Sequence, residues 1–146
     1  MRILIDADGC PVIDIAIKLA GEYQIECILL CDTSHFFKRE GAMTITVAKG
    51  MDSVDFALVN MLQKGDIVIT QDYGLAAMCL ARQAIVISQN GLIYNDDNID
   101  ALLSQRHIAK KIRLSGGRMK GHPKRKPSQD HDFKEMLDKC LRDSKF

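Results

Sequence analysis

The stretch Ile3-Leu4-Ile5-Asp6-Ala7-Asp8-Gly9-Cys10-Pro11 is a short apolar run that ends in two aspartates. A second apolar run, Ile67-Val68-Ile69, ends in Thr70-Gln71-Asp72. In an open parallel sheet the carboxyl ends of neighbouring strands border one crevice, where ligands bind. Several carboxylates in one crevice repel each other unless a cation joins them. The two stretches therefore predict a parallel sheet with a hard-metal site at its carboxyl edge.

The length and composition predict one globular domain over residues 1–146, because 146 residues with 47% hydrophobic content suit a single core. Aspartates interrupt the apolar stretch near the start, so we expect no signal peptide and no membrane span, and a cytoplasmic protein. The five cysteines form no CxxC pair or zinc-type cluster, and we expect most of them to be reduced and buried.

Charge is distributed unevenly along the chain. Residues 1–103 carry 7 Lys/Arg against 14 Asp/Glu, whereas residues 104–146 carry 13 against 5. Between Ser104 and Pro127 no acid occurs, and the basic residues are Arg106, Lys110, Lys111, Arg113, Arg118, Lys120, Lys124, Arg125 and Lys126. Such a run is typical of binding to a phosphate backbone. The alternative is a solvated tail that docks on the acidic face of the protein itself.

Short Ile- and Val-rich strands alternate with amphipathic helices, which predicts a three-layer α/β/α sandwich with a mainly parallel central sheet. The predicted strands are 2–5, 25–31, 44–47, 67–70 and 85–88, and the predicted helices are 11–20, 52–64, 73–82, 97–111 and 129–142. A basic loop is predicted within 104–127, and Ser128 is the expected N-cap of the last helix. The connection 32–43 is short for a parallel crossover, so the orientation of the third strand stays open.

Five aspartates are candidate ligands of one metal centre. Asp6, Asp8 and Asp72 follow strands, while Asp52 and Asp55 share a face of the first turn of a predicted helix. Taken alone, Asp52 fits a helix cap better than a ligand, whereas Asp55 lies one turn inside. Mg²⁺ or Mn²⁺ prefers such oxygen ligands, and two ions can hold the attacking water and the leaving oxygen of a phosphodiester. We expect Asp6, Asp8, Asp55 and Asp72 to be catalytic.

Basic residues outside this acidic cluster are candidates for contact with nucleic acid, with RNA favoured over DNA. Lys38, Arg39 and Lys49 could neutralise charge near the site, and His35 could donate to a phosphate or hold its loop. The remaining candidates come from the basic run and are Arg113, Arg118, Lys120, Lys124, Arg125 and Lys126.

Five stretches spread over the chain resemble the bacterial YaiI/YqxD family, whose fold is related to PIN-domain nucleases. They are residues 5–11, 50–55, 65–76, 113–117 and 130–133. The resemblance implies a PIN-like sandwich with an acidic metal centre, its roles falling on Asp6 or Asp8, on Asp55 or Asp52, and on Asp72. The chain departs from the PIN pattern after strand 85–88, where no clear fourth acid follows and Asn90 could supply a neutral oxygen.

Two other functions are compatible with the same residues. The basic run alone would suit an RNA- or ribosome-associated binding protein that has no catalytic activity. Residues 5–9 also resemble the first motif of aspartate-nucleophile phosphatases, in which Asp6 would attack phosphorus and Asp8 would act as acid and base. Against the phosphatase, Cys10 stands where a threonine or serine-like residue is usual.

Overall fold

The computed structural model describes residues 1–34, 38–114, 116 and 124–144, and for residues 106–109, 112 and 113 it describes only the helical backbone. The elements in chain order are β1 (Arg2–Asp6), α1 (Ile13–Glu22), β2 (Glu26–Asp32), β3 (Met43–Val47), α2 (Ser53–Met61), β4 (Ile67–Ile69), α3 (Tyr73–Ala81), β5 (Ile85–Ile87), β6 (Ile93–Tyr94), α4 (Asp96–Leu114) and α5 (Pro127–Asp143).

The strands form one six-stranded sheet in the order β3-β2-β1-β4-β5-β6. Strands β1 to β5 run parallel, including β3, whose orientation the sequence leaves open, and β6 pairs antiparallel with β5. The chain first builds outward from β1 through β2 to β3 and then returns to the other side of β1 with β4. The gap between the carboxyl ends of β1 and β4 is therefore the topological switch point, where α/β sheets bind ligands.

Hydrophobic clusters cover both faces of the central strands, and side chains alternate between the two faces along each strand, whereas the edge strand β3 has no buried residue. Ile3 and Ile5 of β1 pack in the hydrophobic cluster that includes α1 and α5. Leu4 between them packs in the opposite cluster, which includes α2, α3 and the first turn of α4. The predicted three-layer α/β/α sandwich is confirmed. Cys27 and Cys31 share the α1 and α5 face, as period-two alternation predicts, and all five cysteines are free thiols.

The structure corrects several predicted boundaries in the second half of the chain. The predicted helix 97–111 is confirmed as α4, but it runs from Asp96 to Leu114, so the part of the predicted 104–127 loop that lies before residue 115 is helical. This stretch has no glycine or proline before Gly116, and its Lys, Arg, Gln and Ala residues are good helix formers. The last helix begins at Pro127, whose fixed φ suits a first helical position, so Lys126 is the N-cap instead of Ser128. Strand β6 was not predicted, because two residues show no period.

At the amino edge of the sheet a partly buried ion pair joins β1 to the loop before β4. Arg2 Nη2 lies 2.9 Å from Asp66 Oδ2, and the backbone N–H of Arg2 donates to Asp66 Oδ1 at 3.0 Å. The sequence alone suggests only a turn role for Asp66. The pair fixes the relative position of the two strands whose opposite ends form the switch point.

The turn between β5 and β6 lies directly against α5. Gly91 has φ +86°, and a Cβ built there would lie 2.6 Å from the backbone oxygen of Asp132. Glycine is therefore required at this position for two reasons: the backbone is left-handed, and the backbone of α5 approaches too closely for a side chain.

We expect Gly91→Ala to lower the free energy of unfolding by more than the roughly 1–3 kcal/mol of left-handed strain alone, because α5 must also shift. Gly65→Ala is the matched control, since Gly65 has φ +87° and no atom within 4 Å of an added Cβ. Urea unfolding of both variants measures the difference. Equal losses would show that the contact between Gly91 and α5 has no energetic weight.

Candidate functional site

A threonine hydroxyl links the two aspartates at the switch point. Asp6 ends β1, and its Oδ2 accepts a hydrogen bond of 2.9 Å from Thr70 Oγ1. The same Oγ1 accepts a 3.0 Å bond from the backbone N–H of Asp72. Asp72 is in turn the N-cap of α3, where its side chain accepts from the backbone N–H of Leu75 at 3.1 Å. Strand β1, the end of β4 and the start of α3 are thereby held as one unit.

Asp8 lies beside Asp6 and is fixed by β2. Its Oδ2 accepts a 3.2 Å hydrogen bond from the backbone N–H of Asp32, the last residue of β2. Asp6 and Asp8 line the same small pocket, together with Cys10, Ile69, Thr70, Gln71 and Gln89. The structure thus brings together the two aspartates of the first motif, as the period-two spacing predicts.

Ionisation of Asp6 is disfavoured at this position. The pKa of Asp6 is raised to about 6, mainly by burial; the hydrogen bond from Thr70 opposes this rise, and the charges of Asp72 and Asp8 add to it. At neutral pH the carboxylate therefore carries its charge at a free-energy cost. Any cation that binds beside it would reduce that cost.

The other three candidate aspartates line a neighbouring pocket. It is formed by Asp52, Asp55, Phe56, Asp72, Gly74, Leu75 and Met78. Asp72 therefore belongs to this second pocket while its charge acts on Asp6 in the first. Burial, followed by the charges of Asp55 and Asp6, raises the pKa of Cys79 to about 12, so the charges of both pockets act on this one buried thiol.

Asp52 does not cap α2 with its side chain. It occupies the N-cap position with a left-handed φ of 58°, and its side chain makes no capping hydrogen bond. Ser53 instead donates from its hydroxyl to the backbone oxygen of Ala48 at 2.8 Å. The expected role of Asp52 as a simple cap was wrong, and its exposed carboxylate lines the acidic pocket.

The five aspartates of the predicted metal centre are divided between two pockets. Within the described ranges, no group of three or more His, Cys, Asp or Glu side chains stands ready to hold a metal ion. Mg²⁺ usually takes only one or two carboxylates and completes its octahedron with waters and substrate phosphate. An Mg²⁺ or Mn²⁺ ion at either pocket would therefore depend largely on water and substrate for its ligands, and such a site stays a prediction.

Comparison with known proteins places this chain among bacterial relatives. The family described as "Uncharacterized BCR, YaiI/YqxD family" matches residues 4–143. The chain belongs to this family. It is 51% identical over 141 residues to a UPF0178 protein of Exiguobacterium sibiricum, covering 97% of this chain and 96% of the relative. It is 53% identical over 137 residues to a UPF0178 protein of Ruminiclostridium cellulolyticum, covering 94% and 90%.

The YaiI/YqxD membership confirms the family predicted from the sequence, while the relation to PIN-domain nucleases stays a prediction. No solved structure matches the chain. Among the helices in the described part of the protein, none has the length and apolar character needed to cross a membrane.

The predicted nucleic-acid contacts fall into three groups in this YaiI/YqxD protein. Lys38, Lys49, Lys124 and Lys126 are exposed. Arg39 is exposed as well, but its Nε lies 3.2 Å from Asp14 Oδ1. His35, Arg118 and Lys120 lie outside the described residues, as does the side chain of Arg113.

Arg125 is engaged by the protein itself. Its guanidinium donates to Asp130 Oδ1 at 2.8 Å, to Asn90 Oδ1 at 2.7 Å and to the backbone oxygen of Gln89 at 2.9 Å. The alternative of a basic segment docked on its own protein therefore holds for this residue. Because a cationic donor occupies Asn90 Oδ1, this oxygen is a poor choice for the neutral metal ligand considered from the sequence.

Three uncharged residues of the site were missed by sequence reasoning. Thr70 bridges Asp6 and Asp72, and Gln71 and Gln89 line the Asp6 pocket. Their signal was available, since Thr70 and Gln71 are the first two residues after β4 and Gln89 lies two residues after β5. Apart from Asn90, only carboxylates were taken as candidate ligands at these strand ends.

The raised pKa of Asp6 leads to a pH-dependent stability. Below the unfolded value of 3.8 the protonated side chain contributes its full stabilisation, which is lost as pH rises through about 6. Asp6→Asn stays neutral throughout, so its stability relative to wild type should rise between pH 4 and pH 7, by at most roughly 3 kcal/mol for a two-unit shift. Urea unfolding at both pH values measures this change.

Asp14→Asn, which alters an exposed carboxylate on α1, is the control for this pH series. Saturating Mg²⁺ at pH 7 should narrow the gap between wild type and Asp6→Asn, because a bound cation stabilises only the folded state that holds it. A gap that is the same at every pH would contradict the proposed cost of ionising Asp6.

Proposed function

We propose that this protein is a divalent-metal-dependent nuclease that hydrolyses phosphodiester bonds, with RNA favoured over DNA as substrate. The observation that carries the proposal is the half-buried Asp6, held by Thr70 at the switch point among the charges of Asp72 and Asp8. A fold gains nothing from collecting like charges where their ionisation is costly. Such an arrangement is common where a cation and a charged substrate are bound.

The residues of the site divide the work of such a reaction between them. Thr70 orients Asp6, and α3 orients Asp72 through its first turn. Asp8 adds a carboxylate in the Asp6 pocket, and Asp55 adds one in the Asp72 pocket. The acidic wall is the surface formed by the aspartates of these two pockets. When bound, Mg²⁺ or Mn²⁺ would stabilise the charge that develops on the phosphate. Asp6, oriented by the Thr70 hydroxyl, would be one of the carboxylates that hold such an ion.

Exposed lysines would attract the phosphate backbone of a nucleic acid, which the aspartates repel. Lys124 and Lys126 flank Arg125, which is bound to the backbone oxygen of Gln89, and Gln89 lines the Asp6 pocket. A phosphate backbone that reaches the acidic wall would therefore have these lysines within its neighbourhood. The expected cytoplasmic location, where RNA is abundant, belongs to this proposal.

We expect Asp72→Asn to lower metal-dependent cleavage of labelled single-stranded RNA by about 100-fold or more, since even outer-shell changes at metal sites cost roughly 10–100-fold. Asp100→Asn, which removes an exposed carboxylate from α4, is the matched control and should cleave like wild type. The assay compares Mg²⁺, Mn²⁺ and chelator. Equal cleavage by wild type and Asp72→Asn, or no cleavage of any RNA by wild type, would count against the nuclease.

A second candidate function is a non-catalytic RNA- or ribosome-associated protein. The exposed Lys124 and Lys126 favour it, because they need no metal to bind phosphate. In this case the acids at the switch point would serve the fold alone. The phosphatase reading gains less support, since no lysine lines the Asp6 pocket within the described residues.

Changing Lys124 and Lys126 together to Ala should weaken RNA binding in the presence of chelator. The slope of log affinity against log salt should fall by about 1.4, which is the loss of two phosphate contacts on a single strand. Lys18→Ala with Lys64→Ala is the matched control, because both residues are exposed and Lys64 lies at the opposite edge of the sheet. Fluorescence anisotropy across a salt series gives the slopes, and identical slopes for the two double variants would exclude the lysine contact.

A further inference from the structure

A third pocket, distinct from the one lined by Asp52, Asp55 and Asp72, lies directly beside the pocket of Asp6 and Asp8. It measures about 140 Å³ and is lined by Gln71, Tyr73, Ser88, Gln89, Asn90, Leu92 and Tyr94. Gln71 and Gln89 line both pockets, so they form the boundary between the acidic site and this neighbouring space. Whatever molecule is held by the acids can extend past these two amides. Apart from Asn90, none of its lining residues was a sequence-based candidate, and the proposed catalytic roles do not use this pocket.

The two amides are hydrogen-bonded to each other, with Gln71 Nε2 donating to Gln89 Oε1. This bond uses one of the four N–H donors of the pair and one of its two oxygens, so the Gln71 oxygen and N–H groups on both amides remain available to a ligand. The side chain of Gln71 is exposed and that of Gln89 is half-buried, so this edge faces solvent in the pocket. An adjacent acceptor and donor match the Watson–Crick edge of a nucleobase, since each of the four bases carries one donor next to one acceptor there.

An aromatic ring stands on the wall of the same pocket. Tyr73 is half-buried, and its ring packs edge-on against Tyr94 with the centroids 6.1 Å apart and the planes at 67°. Tyr94 is itself buried, and its hydroxyl donates to the backbone oxygen of Thr70 at 3.2 Å. Thr70 is the residue that orients Asp6. The ring of Tyr73 is therefore braced against the same unit that holds the acidic site.

We propose that this pocket binds an unpaired nucleobase of the nucleotide next to the phosphate at the acidic site. The base stacks on Tyr73, while its Watson–Crick edge pairs with the amides of Gln71 and Gln89. This inference rests on the proposed nuclease function and assigns its substrate class. The pocket is continuous with the acidic site, so base and phosphate of one strand can occupy the two together.

The chemistry of the pocket determines which strands it accepts. A base in a duplex has its Watson–Crick edge occupied, so only unpaired bases can reach the amides. Both glutamine amides can rotate to exchange donor and acceptor, and an aromatic face stacks on every base. The pocket therefore selects single-stranded nucleic acid without strong preference for a particular base.

The test uses binding, measured in chelator so that no strand is cut. A labelled single-stranded RNA is compared with the same RNA carrying an abasic site at each position in turn, by fluorescence anisotropy. We expect wild type to bind one abasic RNA roughly tenfold more weakly, the value of one stacked base. Tyr73→Leu and the double change Gln71→Ala with Gln89→Ala should bind the intact RNA as weakly as the abasic one.

Two controls separate the pocket from general effects on the fold. Gln63→Ala with Gln105→Ala removes two exposed amides elsewhere on the chain and should behave like wild type. Tyr73→Phe keeps the aromatic face and should restore the tenfold sensitivity that Tyr73→Leu loses. A 2-aminopurine placed at the sensitive position should lose fluorescence on binding to wild type and not on binding to Tyr73→Leu.

The outcomes separate this inference from the nuclease proposal. Base-dependent binding by a protein that cleaves no RNA supports the pocket and overturns the nuclease. RNA cleavage by a protein that binds every abasic strand as tightly as the intact one supports the nuclease and overturns the pocket. Equal binding of duplex and single strand, with Tyr73→Leu unchanged, overturns the pocket as well.

Discussion

The hydroxyl of Thr70 lies between the carboxylate of Asp6 and the backbone of Asp72, at the point where the chain changes direction in the sheet. The order β3-β2-β1-β4-β5-β6 leaves the carboxyl ends of β1 and β4 side by side, and a single oxygen with one donor and two acceptor positions fills the gap between them. Its hydrogen bond to Asp6 offsets part of the desolvation of that carboxylate, yet the pKa of Asp6 stays raised. The fold therefore keeps a carboxyl group whose ionisation costs free energy. The proposed function gives that carboxyl group a role, because a bound cation would lower the cost.

Much of the fold was predictable because burial on both faces gives a strand a recognisable composition. Ile3-Leu4-Ile5 and Ile67-Val68-Ile69 are apolar at every position, and the structure places alternate side chains in the two core clusters. Helix α4 was predicted to residue 111 because its Lys, Arg, Gln and Ala residues favour a helix, whereas its true end at Leu114 was missed because no helix-breaking residue occurs before Gly116. Strand β6 consists of two residues that pair with Val86 and Ile87 of β5. Two residues are too few to show the alternating pattern by which a strand is recognised in a sequence.

The site shows the same division between local and long-range information. Asp6, Asp8 and Asp72 could be placed because strand ends in a parallel sheet share an edge, and their positions follow from the strands alone. Arg125 could not, since its partners Gln89, Asn90 and Asp130 come from the β5–β6 turn and the first turn of α5. Basic character indicates that a residue can bind phosphate, but only the packing of the chain decides whether a carboxylate or carbonyl of the protein takes that position first.

The opposite charges of the two chain segments pose one electrostatic problem for an RNA ligand. Residues 1–103 carry twice as many acids as bases, so the edge that holds Asp6 repels a phosphate backbone, while residues 104–146 carry an excess of bases. Arg125 joins these segments at the rim of the acidic pocket and leaves Lys124 and Lys126 exposed beside it. Lysines at the rim attract a strand from a distance comparable with the Debye length of about 8 Å, but they cannot remove repulsion at the acids themselves. A divalent cation can, which is why attraction by the basic segment and neutralisation of the acidic wall are complementary requirements for one and the same ligand.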